Sequence, residues 1–312
     1  MKRLLAAALL FTSALPATAA DQIRLVVPFA AGGPVDLVAR TIASALPARL
    51  NADVIVENRG GAGGIIGTEV VAKAPPDGRT LLQGSLGSHV LSAALHAQLG
   101  YDPIKSFTPI VFVGLVPSVL VVNGQSGIAT FAELLVAAKR RTLGYGSAGP
   151  GSSTHIAGAI FTAMAGIRTT HIPYRGAGPA LKDLLGGHLD FIVGDTPALL
   201  PQIESRSVHP LALFATARSP LLPNLPTTAE LGYPGMVMEN WYGILAPAGL
   251  PPALRTTLET AILDVLASPA IKERLAAGGL QGTRDGEGLR ERLASDVALW
   301  GPELKRLGIT AE

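Results

Sequence analysis

Short apolar runs that end in a glycine-rich corner and lead into a helix-period segment limit most strongly how this chain can fold. Residues 23–29 (IRLVVPF), 52–58 (ADVIVEN) and 80–85 (TLLQGS) are of strand length. Each precedes such a corner, and the segments behind, such as VDLVARTIASALPARL, carry apolar residues at helical spacing. Strand and helix alternating in this way predict a parallel sheet covered by helices. The rhythm restarts at LGYGSAG, THIPYRG and LDFIVGD, each followed by helix-like sequence such as SSTHIAGAIFTAMAG or PALLPQIES, which predicts a second α/β unit. With 312 residues, 48% of them hydrophobic, the chain can bury a core for both.

Between the two units lies TPIVFVGLVPSVLVVN (residues 108–123), where Gly114 and Pro117 punctuate a β-branched run; it reads as two strands crossing between lobes. After LALFATA, a proline-rich link (SPLLPNLPTTAELGYPG) returns to the first unit, and the end of the chain is amphipathic helix that packs on it. The expected division is residues 21–110 and 225–312 for the first lobe and 111–224 for the second.

Residues 1–20 have Lys2 and Arg3, a short apolar stretch broken by Pro16, and small residues at Ala17, Ala19 and Ala20, the layout of a cleavable secretory signal. No cysteine is present to carry a lipid, so the expected location is free in a bacterial periplasm. Without Lys2 and Arg3, basic and acidic residues balance at 23 each, and no basic run interleaved with aromatics occurs. Nucleic acid is therefore not an expected partner.

The corner PFAAGGPVD has no cation, yet Gly32 and Gly33 permit positive φ, and Pro34 suits a first helical turn. Main-chain N–H groups and the helix dipole can hold a carboxylate or phosphate oxygen there; equally, the glycines can serve only close helix packing. A second corner, GSAGPGSSTH, adds the hydroxyls of Ser147, Ser152, Ser153 and Thr154, and either Ser152 or Ser153 can cap the following helix. Ser152 stands where a phosphate loop needs its lysine, which argues against a nucleotide triphosphatase. ENRGGAGGIIG is one residue too long for a dinucleotide fingerprint. Neither Ser85 nor Ser147 sits in G-x-S-x-G, and no metal-ligand spacing is found, so a hydrolase is the weaker reading and no cofactor is expected. Asp36, Arg175 and Asp195 lie at strand ends or in a first helical turn, where α/β sheets place ligands; a dipole partner, a surface cation and a helix cap are their plainer readings. Trp241 and Tyr242 can wall a cleft or belong to the core.

As a set, VVPFAAGGPVDLVAR, VIVENRGGAGG, PPDGRTLL, YDPIKSFTPI, GSAGPGSSTH, PYRGAGPAL, LLGGHLDF and WYGILAPAG resemble the Bug, or TctC-like, receptors of tripartite tricarboxylate transporters, from about residue 23 to the C terminus. That resemblance implies a two-lobed α/β fold like that of type II periplasmic binding proteins. It also implies a cleft in which facing corners hold a carboxylate through main-chain groups and bridging waters. Carried over residue by residue, the ligand-binding positions are Phe29, Ala30, Ala31, Gly32, Gly33, Asp36, Ser85 and Ser88 on one side, and Ser147, Ser153, Thr154, His155, Tyr174, Arg175 and Asp195 on the other. The implied ligand is a small mono-, di- or tricarboxylate, an amino acid or an aromatic acid. The implied partners are membrane transporter subunits, or a sensor kinase if the receptor serves signalling, and the implied state is monomeric. Pro34 and Val35 stand where the family usually has a small residue and threonine, and Pro150 where asparagine is common, which points to a ligand less polar than a tricarboxylate.

Overall fold

The computed structural model describes residues 22–96 and 98–310. The expected signal segment lies outside them. Strands β1 (Gln22–Val27), β2 (Asp53–Asn58) and β3 (Thr80–Ser85) run parallel in the order β2-β1-β3. Helices α1 (Pro34–Ala43), α2 (Pro47–Leu50) and α3 (Ile65–Ala72) occupy the crossovers. The helical pattern over residues 35–50 is interrupted before Pro47, which begins a new turn because it cannot donate to the old one. β3 leads into a single wide π-type turn, Leu86–Leu91, and α4 (Ser92–Leu95).

The second unit repeats the plan. β5 (Leu143–Ser147), β6 (Thr169–Pro173) and β7 (Phe191–Asp195) are parallel, in the order β7-β5-β6. Around them lie α5 (Phe131–Arg140), α6 (Ser153–Ala165), α7 (Ala177–Leu185) and α8 (Thr196–Glu204).

Residues 108–123, expected as two strands, lie within one 17-residue strand, β4 (Phe107–Asn123). It pairs with β9 (Glu239–Pro247) up to Pro117, then with β7 and β8 (Val208–Phe214) from Ser118 onward. Pro117, paired with Glu239, thus falls where the strand changes neighbours, and its missing N–H interrupts no ladder interior. Gly114, at φ 155°, takes up a register shift against β9. β4 therefore joins the two lobes of the α/β fold as one continuous rod.

α9 (Pro252–Ala267) and α10 (Pro269–Ala277) pack on the first unit as expected: Leu258, Ile262, Val265 and Ile271 share a core with Leu25, Val27, Val38 and Ile42. After β10 (Arg284–Asp285), which pairs with β4, α11 (Gly286–Arg306) places Leu289 and Leu293 in a larger core with Phe112, Phe161, Phe191 and Trp241. Trp241 is a core residue, not a cleft wall; its Nε1–H donates to Asp296 Oδ2 at 2.7 Å.

Candidate functional site

The first corner, between β1 and α1, is braced from within. Gly32, at φ 81°, donates its N–H to Asp36 Oδ2 at 2.9 Å. Asp36 also accepts from Asn58 Nδ2 at 2.9 Å and from Arg40 Nε at 3.0 Å, while Asn58 Nδ2 reaches the Phe29 carbonyl at 3.0 Å. Burial pushes the Asp36 carboxyl up, but the bonds from Arg40, Gly32 and Asn58 outweigh it, so it stays below its ordinary value. Asp36 thus spends its lone pairs on the corner. Only Gly32 uses the positive φ expected of both glycines: Gly33 is extended, at φ −86° and ψ 171°. A Cβ on Gly33 would meet Gly178 N at 3.5 Å, an ordinary contact. Gly33→Ala is therefore expected to fold with an unchanged thermal midpoint, whereas Gly32→Ala loses about 1 kcal/mol to backbone strain; thermal scans of both variants check this.

The second corner, after β5, is a dense knot of short polar bonds. Ser152, not Ser153, caps α6, its Oγ accepting from His155 N at 3.3 Å. Thr154 Oγ1 accepts from Ala148 N at 2.8 Å, and Gly151 N donates to His155 Nδ1 at 3.1 Å. Ser147 Oγ accepts from Gly149 N at 3.0 Å and lies 2.6 Å from His171 Nε2. The rings of His155 and His171 stack with centroids 4.2 Å apart. Burial lowers the pKa of both to about 4, and His171 adds to the effect on His155. His89, beneath Phe107 in the first lobe, is likewise pushed down to about 4 by burial.

A histidine whose folded pKa is depressed binds its proton more readily in the unfolded chain. Stability is then full above pH 6.5 and is lost as the pH falls toward 4. Asp195, whose carboxyl is raised by burial, works in the opposite sense just above pH 3.8. The expected result is a thermal midpoint that is flat near neutrality and declines between pH 6.5 and 4. His89→Phe should flatten the decline; equal midpoints at pH 5 and pH 7 in the parent protein would contradict this account.

The corners touch across the cleft. Ala30 N donates to the Arg175 carbonyl at 2.9 Å, Gly33 lies against Ala177 and Gly178, and Gly63 lies against the Pro150 carbonyl. Four helix N-termini meet at one cavity. Pro34 opens α1, Thr154 is in the first turn of α6, Ala177 opens α7, and Asp195 and Ala198 flank the start of α8; all five line it. No side chain caps α1, α7 or α8. A helix N-terminus carries roughly half a positive charge, so the arrangement attracts an anion without a cationic side chain. The cavity holds about 10 Å³ of water-sized space, roughly one water molecule. A solute must therefore enter by parting the corners.

Asp195, buried at the end of β7, does not cap α8. Its Oδ2 accepts from Tyr242 Oη at 2.6 Å and Asn240 Nδ2 at 2.7 Å, and its Oδ1 from Ser118 Oγ at 3.0 Å. All three donors sit on β4 and β9, so this carboxyl ties β7 to the strands that join the lobes.

The remaining expected residues are placed less directly. Ser85 and Ser88 are buried and bond to each other as a reciprocal cap of the π-type turn, with Ser88 N to Ser85 Oγ at 3.2 Å. Tyr174 donates to Asp183 Oδ2 at 2.5 Å, and burial together with that carboxylate pushes its pKa up to about 12. The Arg175 side chain is exposed, and only its carbonyl joins the corner contact. Ala31 is exposed, whereas Phe29 is buried with its ring against Gly64.

The expected site left out Gly60 and Gly63 of the ENRGGAGG corner, the Ser118–Asn240–Tyr242 donors, and the aliphatic lining Ala180, Leu181, Ile192 and Leu199. The glycine density of ENRGGAGG was a signal for the first; pairing of distant strands hides the others. Among the described residues no cluster of His, Asp or Glu is arranged to hold a metal ion, and no helix is long and apolar enough to cross a membrane.

Residues 38–309 match the model of the tripartite tricarboxylate transporter family receptor. The "UPF0065 protein in tcbD-tcbE intergenic region" of Pseudomonas sp. (strain P51) is 37% identical over 283 residues, covering 89% of this chain and 84% of that protein. Among solved structures, the periplasmic binding protein BugD superposes with a TM-score of 0.88 at 35% identity, covering 93% of this chain and 98% of that one. Rpa4515 of R. palustris, solved with adipate, gives 0.88 at 33% identity over the same shares. MatC of Rhodopseudomonas palustris, with bound malate, gives 0.85 at 30%, covering 90% of this chain and 98% of that one.

Proposed function

The chain belongs to the tripartite tricarboxylate transporter receptor family, whose matched structures are solute-binding proteins and not enzymes, and from that premise we propose that it captures a small organic carboxylate in the periplasm and delivers it to a membrane transporter. The observation that carries this reading is the convergence of the N-termini of α1, α6, α7 and α8 on one cavity. One ligand carboxylate sits among the main-chain N–H groups at these termini, directly or through water, and needs no arginine or lysine. Adipate and malate in Rpa4515 and MatC support the ligand chemistry.

Residues 21–110 with 225–312, and 111–224, act as the two lobes. They part and close about β4 and β9, and the closed form presents the loaded face to the transporter. Export depends on residues 1–20, removed in the mature protein. No bond of the solute is made or broken.

Thermal unfolding of the mature protein, refolded to strip any captured solute, against a panel of carboxylates tests the proposal. An acid at 100 times its dissociation constant adds about 2.7 kcal/mol to stability. The expected result is a shift of several degrees for one class of acid, recovered intact. Consumption of the acid, or no shift with any carboxylate, would contradict it.

A further inference from the structure

We infer that the ligand's far end is uncharged, so that this receptor takes a short aliphatic monocarboxylate in preference to a dicarboxylate of equal length. The inference rests on the carboxylate-receptor reading and deepens it. Beyond the four helix termini, the apolar side chains of the cavity wall are Ala180, Leu181, Ile192, Val193 and Leu199. Its polar side chains are Ser147, Thr154 and Asp195. Each is already engaged: Ser147 with Gly149 and His171, Thr154 with Ala148 and Ser152, and Asp195 with Ser118, Asn240 and Tyr242.

No lysine, arginine or histidine lines the cavity, and its one ionisable side chain is itself a carboxyl. The helix termini can satisfy one carboxylate. A second would give up its water against the aliphatic wall, with no cationic side chain in the lining to meet it. Burying a charge so unpaired is costly, whereas a methyl or methylene end gains from the same wall.

Pro34, at the first position of α1, also lines the cavity, with ring carbons and no N–H of its own. The helix termini at the head and the apolar wall at the tail together set the selectivity.

Calorimetric titration of the refolded mature chain with matched pairs tests this: butanoate against succinate, pentanoate against glutarate, hexanoate against adipate. The monocarboxylate of at least one pair is expected to bind about 30-fold tighter than its partner. Ala198→Lys, on the partly exposed first turn of α8 beside the wall, is expected to shift the ratio toward the dicarboxylate by about tenfold. Asp195→Asn should shift it the same way, and the lysine variant carries the test should the asparagine variant fail to fold. Dicarboxylates binding as tightly as their partners would overturn the inference and leave the receptor reading intact. Binding by neither series would overturn both.

Discussion

Gly63→Ala is expected to weaken carboxylate binding by at least about 100-fold while leaving the lobes folded. A Cβ at this position would lie 1.9 Å from the Pro150 carbonyl oxygen and 2.8 Å from Ser92 Oγ. The oxygen belongs to main chain in the opposing corner, so no side-chain rotation relieves the clash. The corners must stay apart, and an apparent dissociation constant rises in inverse proportion to the population able to close. Gly63 also has φ 61°, which costs an alanine about 1 kcal/mol in either conformation. Gly127→Ala separates the two effects, because Gly127 has φ 74° and open space around its Cβ position. The control is expected to lose a comparable increment of stability and no affinity. Titration and circular dichroism of both variants check this; equal affinities would mean that closure of these corners is not part of binding.

Asp195→Ala is expected to remove on the order of 4 kcal/mol of stability, because three buried donors on β4 and β9 lose their acceptor. In a chain of this size that corresponds to a fall in thermal midpoint on the order of 10 °C. Tyr242→Phe removes one donor and leaves Asn240 and Ser118 in place, so about 1 kcal/mol is expected. The order Asp195→Ala, then Tyr242→Phe, is the signature of a shared acceptor. If the alanine variant melts with the parent protein, Asp195 does not hold the lobes to their joining strands.

The parallel strands were legible because each is a run of strand length that leads through a short corner into a helix, and local sequence carries that signal. β4 was not. Its glycine and proline are breakers in isolation, and only the change of partner at Pro117 and Ser118 explains their tolerance. The same division holds in the site. Gly32 and the corner after β5 were visible as glycine and hydroxyl clusters, whereas Gly33 uses no positive φ and Asp36 serves the corner. The Asp195 network joins residues 118, 195, 240 and 242, and no spacing in one sequence announces contacts of that range. Resemblance offers Asp195 as a ligand contact; geometry gives its oxygens to Ser118, Asn240 and Tyr242.

The most direct test of the central claim is a crystal structure of the mature protein with its tightest-binding acid. The account predicts one carboxylate among the N-termini of α1, α6, α7 and α8, held by main-chain N–H groups or water, with the uncharged end against Ala180, Leu181 and Leu199. A carboxylate paired with the Arg175 guanidinium, or bound outside the cleft, would contradict it.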